Sequence, residues 1–374
     1  MFRLLTFLAF LLYLVCLVLI NNTYGFIVCL LLTQLLFSLS KRKFISNHFI
    51  LFFSKNKIVT SFYVLGLALV VFTFNLFRVQ SNIEYLFKNN GDLRIQTKEG
   101  FKAIAEVKNE IEFESLYSNE SVTIKSVSFQ RENQSSVHQI KNFLSPNKLV
   151  VLEFNSSNEY SLTADTEKKL APINCIQALN KQTSNFSLNT SLYDRNAIGE
   201  VIIENKKFGT RNKFWSGFFK VIEGQPVVGA KSIFTKNRGN ISYSCQAYPS
   251  VMKNGVLFNY IKTAKRWKKK TYRNLIGTLQ NGNLVCVLSY TGGLLSVEEI
   301  SIIALKYGVV NATLFDGGAA LQYQYVSNDF ELSFSALNNN VYFGEKIDEL
   351  FFTKASTHFP AKSPVFLTIK HVTE

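Results

Sequence analysis

The sequence predicts an α+β domain rich in mixed β-sheet, preceded by three N-terminal transmembrane helices. The helices are predicted because the first 79 residues contain no Asp or Glu and include three long apolar segments. The sheet is predicted because, from Val122 onward, short apolar or alternating stretches are separated by turns that contain Gly and Asn. Many strands with few helices are typical of the α+β class.

The three apolar segments run from Leu4 to Ile20, from Tyr24 to Leu39 and from Ile58 to Phe77. The third contains 20 residues, enough to cross a hydrocarbon core of ~30 Å. A cleaved signal peptide is the alternative for the first segment, but no small-residue cleavage site follows it and a second apolar segment begins at once. We therefore predict helices at about 4–22, 24–39 and 58–77, within a membrane anchor of residues 1–78.

Basic residues predict the orientation of this anchor. The loop between the second and third segments carries Lys41, Arg42, Lys43, Lys55 and Lys57, whereas the turn between the first two carries none. Because cytoplasmic loops hold the excess of Lys and Arg, this loop is expected in the cytoplasm. We therefore predict a multi-pass protein of the cell membrane that contacts the lipid bilayer and has an extracytoplasmic C-terminal domain.

Charge and histidine content exclude some functions. The net charge is +15, and seven basic residues with no acid lie before Val79, so the outer part carries 15 − 7 = +8. An extracytoplasmic domain with that modest excess is not expected to bind nucleic acid. The four His residues have no metal-ligand spacing, so no cofactor is expected, although a divalent cation at Asp316 stays open. The sequence predicts no particular oligomeric state.

Three cysteines, Cys175, Cys245 and Cys286, lie beyond the apolar segments. An odd number implies no disulfide framework. Buried free thiols are the favoured interpretation, and a single bridge is the alternative.

Residues 79–119 are polar and mixed in composition, with stretches such as Phe101–Leu116 that are compatible with a helix. We interpret them as a stalk or a peripheral segment, and we place the main domain at residues 120–374. Predicted strands of that domain are Val122–Phe129, Leu149–Phe154, Gly199–Glu204, Gly217–Ile222 and Leu284–Leu288.

Turn residues lie between these strands at Glu223-Gly224, Asn254-Gly255 and Asn281-Gly282. The last pair separates Ile276–Leu279 from Leu284–Leu288, and Asn-Gly between two apolar runs predicts a β-hairpin.

One helix is predicted before the C-terminal part of the domain. Ser296 and Glu299 form a capping box, apolar residues follow at helical spacing, and Gly308 ends the pattern. The box assigns Glu299 to the helix cap and not to a functional site. A strand, Val309–Phe315, follows the helix and ends abruptly in Asp316-Gly317-Gly318.

Asp316 and its two glycines form a candidate site. A buried strand that ends in an acid can present a carboxylate at the rim of a pocket, and glycines let a ligand or another backbone approach closely. An Asp-Gly pair is also a common hairpin turn, so the motif alone leaves both interpretations open.

Several further segments precede this motif in a fixed order. They are Asn189–Tyr193, Ile198–Lys206, Gly217–Val227, Gln246–Gly255 and Tyr272–Gly277, followed by Phe315–Gly318. Their order and spacing resemble the phosphodiester glycosidase family. The resemblance covers roughly residues 120–374 and is clearest over roughly 186–325. It implies the fold of that family and hydrolysis of a sugar-1-phosphodiester at the anomeric carbon.

The resemblance implies roles for the matching polar residues. Candidate catalytic residues are Asp316, Arg273 and Asn189. The carboxylate would stabilise or attack an oxocarbenium-like centre, or activate water, and the guanidinium would hold the phosphate. Candidate substrate-binding residues are Gln246, Asn274, Gly317 and Gly318. The implied substrate is a phosphate-linked glycan, such as one with N-acetylglucosamine-1-phosphodiester linkages, on the cell surface or in the envelope.

Structural alternatives accompany these roles. They are a turn-capping role for Asp316, a surface position for Arg273 and a turn position for Asn189. Two departures from the family pattern also matter: Ala319-Ala320 lacks the hydroxyls that usually follow Asp-Gly-Gly, and Thr190-Ser191 replaces a turn of smaller residues. The alternative function is therefore a catalytically inactive glycan-binding or scaffold protein of envelope polysaccharide assembly.

A basic run, Lys262–Arg273, contains seven basic residues interleaved with Trp267 and Tyr272. It is compatible with docking of an anionic glycan, with contact to anionic lipid headgroups and with a solvated loop.

Overall fold

The computed structural model describes residues 91–107, 110–132, 147–190, 193–194, 196–197, 199–234, 239–290, 292–336 and 362–372. All of these residues belong to one unit, Asn89–Leu337 with Phe359–Glu374. The predicted transmembrane helices at about 4–22, 24–39 and 58–77 lie outside the described residues. Within those residues, no helix has the length and apolar character needed to span a bilayer.

Strands make up most of the described elements. The first twelve are β1 (Leu93–Thr97), β2 (Gly100–Ala103), β3 (Glu114–Ser118), β4 (Val122–Arg131), β5 (Asn147–Phe154), β6 (Glu159–Ala164), β7 (Phe186–Asn189), β8 (Tyr193–Asp194), β9 (Asn196–Ala197), β10 (Val201–Ile203), β11 (Lys206–Phe208) and β12 (Gly217–Ile222). They are followed by β13 (Gln225–Ala230), β14 (Ile241–Ala247), β15 (Ser250–Lys253), β16 (Val256–Leu257), β17 (Thr271–Tyr272), β18 (Asn274–Thr278), β19 (Leu284–Ser289), β20 (Leu294–Leu295), β21 (Asn311–Leu314), β22 (Gln322–Val326), β23 (Glu331–Ser335) and β24 (Val365–Lys370). The helices are α1 (Cys175–Gln182), α2 (Asn259–Thr263) and α3 (Val297–Tyr307), and 3₁₀ turns occupy Lys231–Ile233, Lys265–Lys268 and Gly318–Ala320.

The largest sheet has ten strands. Nine follow the order β16-β15-β21-β18-β19-β5-β4-β1-β2, and β3 pairs with β4 outside this path. Strand β19 lies near the centre, and all six of its residues are buried. A strand that is covered on both faces has no need for the usual apolar-polar alternation, which explains the continuous apolar run at Leu284–Leu288.

Two five-stranded sheets complete the main architecture, in the orders β11-β10-β14-β12-β13 and β23-β22-β7-β24-β6. The short pairs β17-β20 and β8-β9 are separate. Every strand pair among the described residues is antiparallel. The prediction of a mixed sheet, with parallel and antiparallel pairs, is therefore wrong for these residues. Short turns join many consecutive strands, whereas parallel pairs would require longer crossovers.

Two apolar cores lie on the two faces of the ten-stranded sheet. In the first core, residues of the ten-stranded sheet such as Leu152 and Ile276 pack with Phe219 and Tyr323 from the two five-stranded sheets. The second core packs α3 and Trp267 against the opposite face of the same sheet. This double covering holds the central strands rigidly and fixes where their ends emerge.

Helix α3 forms as the sequence predicts. The Ser296 hydroxyl accepts from Glu299 N, and the Glu299 carboxylate accepts from Ser296 N, so the capping box is complete. Gly308 ends the helix with a φ of 105°, a left-handed conformation that favours glycine. Four buried residues, Val297, Ile300, Ile303 and Ala304, form the face that packs in the second core.

The predicted hairpin at Asn281-Gly282 and the predicted turn at Glu223-Gly224 are also present. Strands β18 and β19 pair across Asn281-Gly282, and Gly282 has a φ of 90°. Strands β12 and β13 pair across Glu223-Gly224, where both residues have positive φ. Such paired positive φ values match the twist of a tight hairpin.

The described part of residues 79–119, predicted as a stalk or a peripheral segment, belongs to the ten-stranded sheet. Strands β1, β2 and β3 of the ten-stranded sheet lie in this part, and the described residues of Phe101–Leu116 form no helix. Leu93 and Ile95 are buried because β1 pairs with β4, with Leu93 opposite Arg131. The burial comes from a partner far along the chain, so local composition does not reveal it.

The three cysteines of this part, Cys175, Cys245 and Cys286, are free and buried, as predicted. They lie at the start of α1, in β14 and in β19. Burial raises the pKa of Cys175 and of Cys245 to about 12, and raises that of Cys286 further.

Candidate active site

Asp316 lies where β21 leaves the ten-stranded sheet. Strand β21 pairs with β15 on one side and with β18 on the other. The ladder continues one residue past the strand, because Phe315 N donates to Asn274 O at 2.9 Å. The Phe315 ring is buried against Phe219, with ring centroids 6.3 Å apart. The backbone is therefore firmly held up to the residue before the acid.

Asn189 fixes the backbone of Asp316. Its Nδ2 donates to Asp316 O at 2.8 Å, and its Oδ1 accepts from Gln322 N at 2.9 Å. Asp316 N in turn donates to Thr190 O at 3.0 Å. The buried amide thus joins both ends of the 316–322 segment to the end of β7. Both polar atoms of the Asn189 amide thus bond backbone groups of the protein, those of Asp316 and Gln322.

Asn274 supports the same segment from β18. Its Nδ2 donates to Asn189 O at 2.8 Å and lies 3.5 Å from Asp316 O. Its Oδ1 is buried and has no hydrogen-bond partner among the residues that the structure describes. An unsatisfied buried acceptor costs ~1–3 kcal/mol, so this oxygen is available to a donor from a ligand or a water molecule.

The Asp316 carboxyl is half-buried, and its pKa is shifted strongly. Burial raises the pKa from 3.8 to about 7, against the opposing effect of a hydrogen bond from Gly317 N. Removal from water penalises the charged form of a carboxylate, and one backbone donor does not compensate. Near neutral pH the side chain therefore exchanges between the acid and its conjugate base.

Gly317 allows its segment to approach the backbone of Tyr272 and Arg273, between β17 and β18. A Cβ at Gly317 would lie 2.6 Å from Tyr272 O and 3.5 Å from Arg273 Cα. Gly318 has a φ of +63°, which strains residues with side chains. Both glycines are thus needed for the local backbone, whichever ligand they also contact.

The Arg273 guanidinium does not bond to Asp316. Its Nε donates to Leu295 O at 3.0 Å, and its Nη2 donates to Lys269 O at 2.5 Å. Burial lowers the pKa of Arg273 to about 10, and Glu299 opposes that shift. Arg273 and Asp316 are thus neighbours in backbone position, while the guanidinium is held on the side of β20 and the basic run.

Gln246 holds a different segment. Its Nε2 donates to Asn212 O at 2.6 Å and to Trp215 O at 3.2 Å. Its Oε1 accepts from Asn212 N at 2.8 Å and from Glu200 N at 3.3 Å. These four bonds tie the 199–215 segment to β14, so the described contacts of Gln246 are structural.

Some residues beside the site are not predictable from sequence motifs. Ser289 accepts from Arg273 N at 2.7 Å and donates to Gly293 O at 2.5 Å, while Tyr323 Oη donates to Ser289 O at 3.1 Å. These bonds depend on pairing between distant segments, and a lone Ser or Tyr carries no such signal. Within the described ranges, no group of three His, Cys, Asp or Glu side chains gathers as a metal would require.

Residues 174–348 match the family model of the phosphodiester glycosidases. The matched residues contain Asp316, Arg273, Asn189, Gln246 and Asn274, and the family resemblance predicted from the sequence is confirmed. The chain therefore carries a phosphodiester glycosidase-like segment, and that class is associated with phosphodiester-linked sugars. No curated protein matches the chain.

Three solved structures are similar in outline. The zebrafish N-acetylglucosamine-1-phosphodiester alpha-N-acetylglucosaminidase catalytic domain, auto-inhibited by its pro-peptide, is 11% identical, with 70% of this chain and 87% of that chain covered and a TM-score of 0.46. A hypothetical protein from Synechocystis is 10% identical, with 74% and 68% covered and a TM-score of 0.42. A putative exported protein from Burkholderia pseudomallei is 7% identical, with 70% and 86% covered and a TM-score of 0.36.

Proposed function

We propose that this protein is a membrane-anchored, extracytoplasmic glycosidase that hydrolyses sugar-1-phosphodiester linkages of a surface or envelope glycan. The observation that carries the proposal is the half-buried Asp316 carboxyl, whose pKa is raised to about 7. Asp316 lies within residues 174–348, which match the family. A carboxyl group that titrates near the working pH can accept and return a proton during one catalytic cycle.

The proposed reaction breaks the bond between the anomeric carbon and the phosphate oxygen. The phosphomonoester leaves with the electron pair, water forms the new bond to the anomeric carbon, and Asp316 takes the proton of that water. A direct attack by the carboxylate, followed by hydrolysis, is the variant of the same chemistry. A phosphate ester is a stable anion, so its departure needs little help from a general acid.

Phosphate and sugar would be held by Arg273 and Asn274, which lie on the backbone beside the 316–317 segment. Described residues use two of the five N–H donors of Arg273, on the carbonyls of Leu295 and Lys269, and we assign the others to the phosphate. The buried Asn274 Oδ1 suits a sugar hydroxyl or an acetamido N–H. Asn189 acts by positioning, because its amide already holds the Asp316 backbone.

The second candidate function is glycan binding without hydrolysis. Two observations favour it: Ala319-Ala320 provides no hydroxyl beside Asp316, and the Gln246 amide is occupied by the 199–215 segment. In that case the protein would serve envelope assembly by retaining a phosphate-linked glycan.

The deciding experiment uses the purified full chain and a series of sugar-1-phosphate methyl diesters in water enriched in oxygen-18. We expect free sugar that carries the heavy oxygen at the anomeric position, together with unlabelled methyl phosphate. Asp316→Ala should abolish release, whereas Asp329→Ala, which removes an exposed acid, should not.

Three results would contradict glycoside hydrolysis. Label in the phosphate would mean cleavage of the phosphorus-oxygen bond, and unchanged release by Asp316→Ala would exclude this carboxyl. Binding of the diesters without release, in a chain that is folded by circular dichroism, would favour the glycan-binding function.

A further inference from the structure

A basic face lies next in the chain to Lys270, whose ammonium group contacts Gly91 at the start of the described domain. It consists of five exposed residues of α2 and the 3₁₀ turn that follows it: Lys262, Lys265, Arg266, Lys268 and Lys269. The contacts of Asp316, Asn189 and Asn274 involve none of these side chains, and Arg273 contacts the backbone carbonyl of Lys269 and not its ammonium group. The proposed chemistry therefore leaves the basic face without a role.

Trp267 anchors this face to the domain. Its side chain is 9% exposed and packs in the second core, while the Arg266 guanidinium lies 4.4 Å from the centre of its ring. In a 3₁₀ turn, side chains three residues apart stack on one side, so Lys265 and Lys268 project together. The buried indole thus turns the neighbouring cations outward as a fixed surface.

Two basic residues near this face hold the start of the described chain by hydrogen bonds. Lys270 Nζ and Arg131 Nη1 each donate to Gly91 O at 3.2 Å. Thirteen residues, 78–90, separate Gly91 from the apolar segment Ile58–Phe77. Even a fully extended connection of that length spans at most ~45–50 Å. On the predicted topology, this connection limits the distance between Gly91 and the bilayer to ~45–50 Å.

Nearby acids offset this charge only in part. Asp92 and Glu132 are exposed beside Gly91, and Glu298 is half-buried on α3. Glu299 is already paired with Arg131, which is 2.6 Å away. Five exposed cations against these groups leave the region positive.

We propose that the basic face docks on anionic lipid headgroups of the bilayer that holds the apolar segments. The inference rests on the membrane-anchored part of the proposed function and not on hydrolysis. Charge complementarity and the tethered position support it, since a tether raises the effective concentration of the bilayer at this face. Docking would fix the orientation of the domain, and hence of the Asp316 site, relative to the membrane.

Lysine acetylation tests the proposal. The full chain is incorporated into vesicles of phosphatidylcholine alone or of phosphatidylcholine with phosphatidylglycerol, and acetylation rates are measured by mass spectrometry. We expect Lys262, Lys265, Lys268 and Lys269 to react several-fold more slowly in the anionic vesicles. The exposed Lys206 and Lys231 serve as matched controls and should react equally in both. Salt at ~1 M should abolish the difference, because the screening length falls to ~3 Å.

The outcomes separate docking from anchoring. Anchoring is measured by whether the chain floats with the vesicles in a density gradient. A chain that floats with both vesicle types but shows equal acetylation is anchored without docking, and the inference is then wrong. A chain that floats with anionic vesicles alone and shows the protection has the docking face, and the anchor is then wrong. Protection by a soluble poly(glycerol phosphate), with none from anionic lipid, would overturn lipid docking in favour of a glycan. In the wild type, Lys270 follows the basic face in sequence and should share its lipid-dependent protection. The K262Q/K265Q/K268Q/K269Q variant should lose this protection of Lys270, whereas K206Q/K231Q should keep it.

Discussion

Two carboxyl groups, Glu299 and Asp316, lie on consecutive elements and meet very different surroundings. Glu299 accepts from Arg131 Nη1 at 2.6 Å, from Arg131 Nη2 at 3.0 Å and from Ser296 N at 2.7 Å. Burial would raise its pKa, but the hydrogen bonds and charge of Arg131 and the Ser296 N–H lower it below the ordinary value. Asp316 receives a hydrogen bond from Gly317 N, and burial raises its pKa to about 7.

The difference shows that burial alone does not identify a functional acid. Burial acts in the same direction on both groups, and the partners decide the result. A fully paired carboxylate such as Glu299 stabilises the fold, whereas an incompletely paired one such as Asp316 keeps its reactivity at a cost in stability.

The largest expected effect comes from Asp316→Asn. If the carboxyl exchanges protons in catalysis, the substitution should lower kcat by ~10²–10⁴-fold. It should also raise the stability of the domain near neutral pH, because it removes a charge that burial penalises. Release of free sugar measures the first effect. Urea unfolding followed by Trp fluorescence measures the second, since both tryptophans of the chain, Trp215 and Trp267, belong to the described domain. If Asp316→Asn lost both activity and stability, the claim that the Asp316 carboxylate lowers the stability of the domain would be wrong.

Glu299→Gln should lower the stability of the domain, the opposite of the change expected for Asp316→Asn. It leaves the buried Arg131 without its counter-charge, and loss of one partner of a buried pair costs ~3–5 kcal/mol. Glu298→Gln, at the neighbouring half-buried position, is the matched control and should cost ~0.5 kcal/mol or less. A small effect of Glu299→Gln in the same urea assay would show that the Arg131 pair does not stabilise the fold.

The pH dependence of stability should separate the two groups. The folded pKa of Asp316 is raised, so its contribution is full below pH 3.8 and is lost as the pH rises to about 7. The folded pKa of Glu299 is lowered, so its contribution is present above pH 4.5 and is lost as the pH falls through its folded pKa. Urea midpoints of the wild type and Asp316→Asn across pH 4–8 should diverge toward pH 8. Parallel curves would mean that Asp316 has an ordinary pKa.

Asn189→Ala and Gln246→Ala form a weaker test of positioning. Each removes a buried amide and should destabilise the domain by ~1–3 kcal/mol. Asn189→Ala should also lower kcat ~10-fold or more at unchanged KM, because it releases the Asp316 carbonyl. Gln246→Ala should leave kcat of the folded protein unchanged, since its described bonds are to the 199–215 segment. Equal effects on kcat would show that Asn189 does not position the acid.

The smallest effect is expected from Ala320→Ser. A restored hydroxyl beside the Gly318–Ala320 turn could donate one hydrogen bond, worth ~0.5–1.5 kcal/mol, and raise kcat/KM a few-fold. Ala103→Ser, at a half-buried position of β2, is the control and should bring no gain. An active wild type that Ala320→Ser does not improve would show that the missing hydroxyls are unimportant.

The sequence predicts the local elements of the fold well. The α3 capping box and the Asn281-Gly282 hairpin depend on residues within a few positions of each other, and both are present. The β1 strand could not be predicted, because its burial depends on pairing with β4, where Leu93 lies opposite Arg131.

The candidate site shows the same limit at the level of side chains. The motif order places Asp316, Asn189 and Asn274 together, and the structure joins them through the Asp316 carbonyl. The direction of the Arg273 guanidinium is set by the carbonyls of Leu295 and Lys269, which no motif encodes. The partners of Gln246 likewise lie 31 and more positions away, in a segment without a recognisable pattern.

The three buried thiols give the protein a built-in set of probes for local opening. Cys286 lies in the ten-stranded sheet, Cys245 in the five-stranded sheet of β14, and Cys175 at the start of α1. Each reacts slowly while it is buried with a raised pKa, so a maleimide reagent modifies it when its own layer opens. Peptide mapping of the labelled chain therefore ranks the layers by their opening free energies without any substitution.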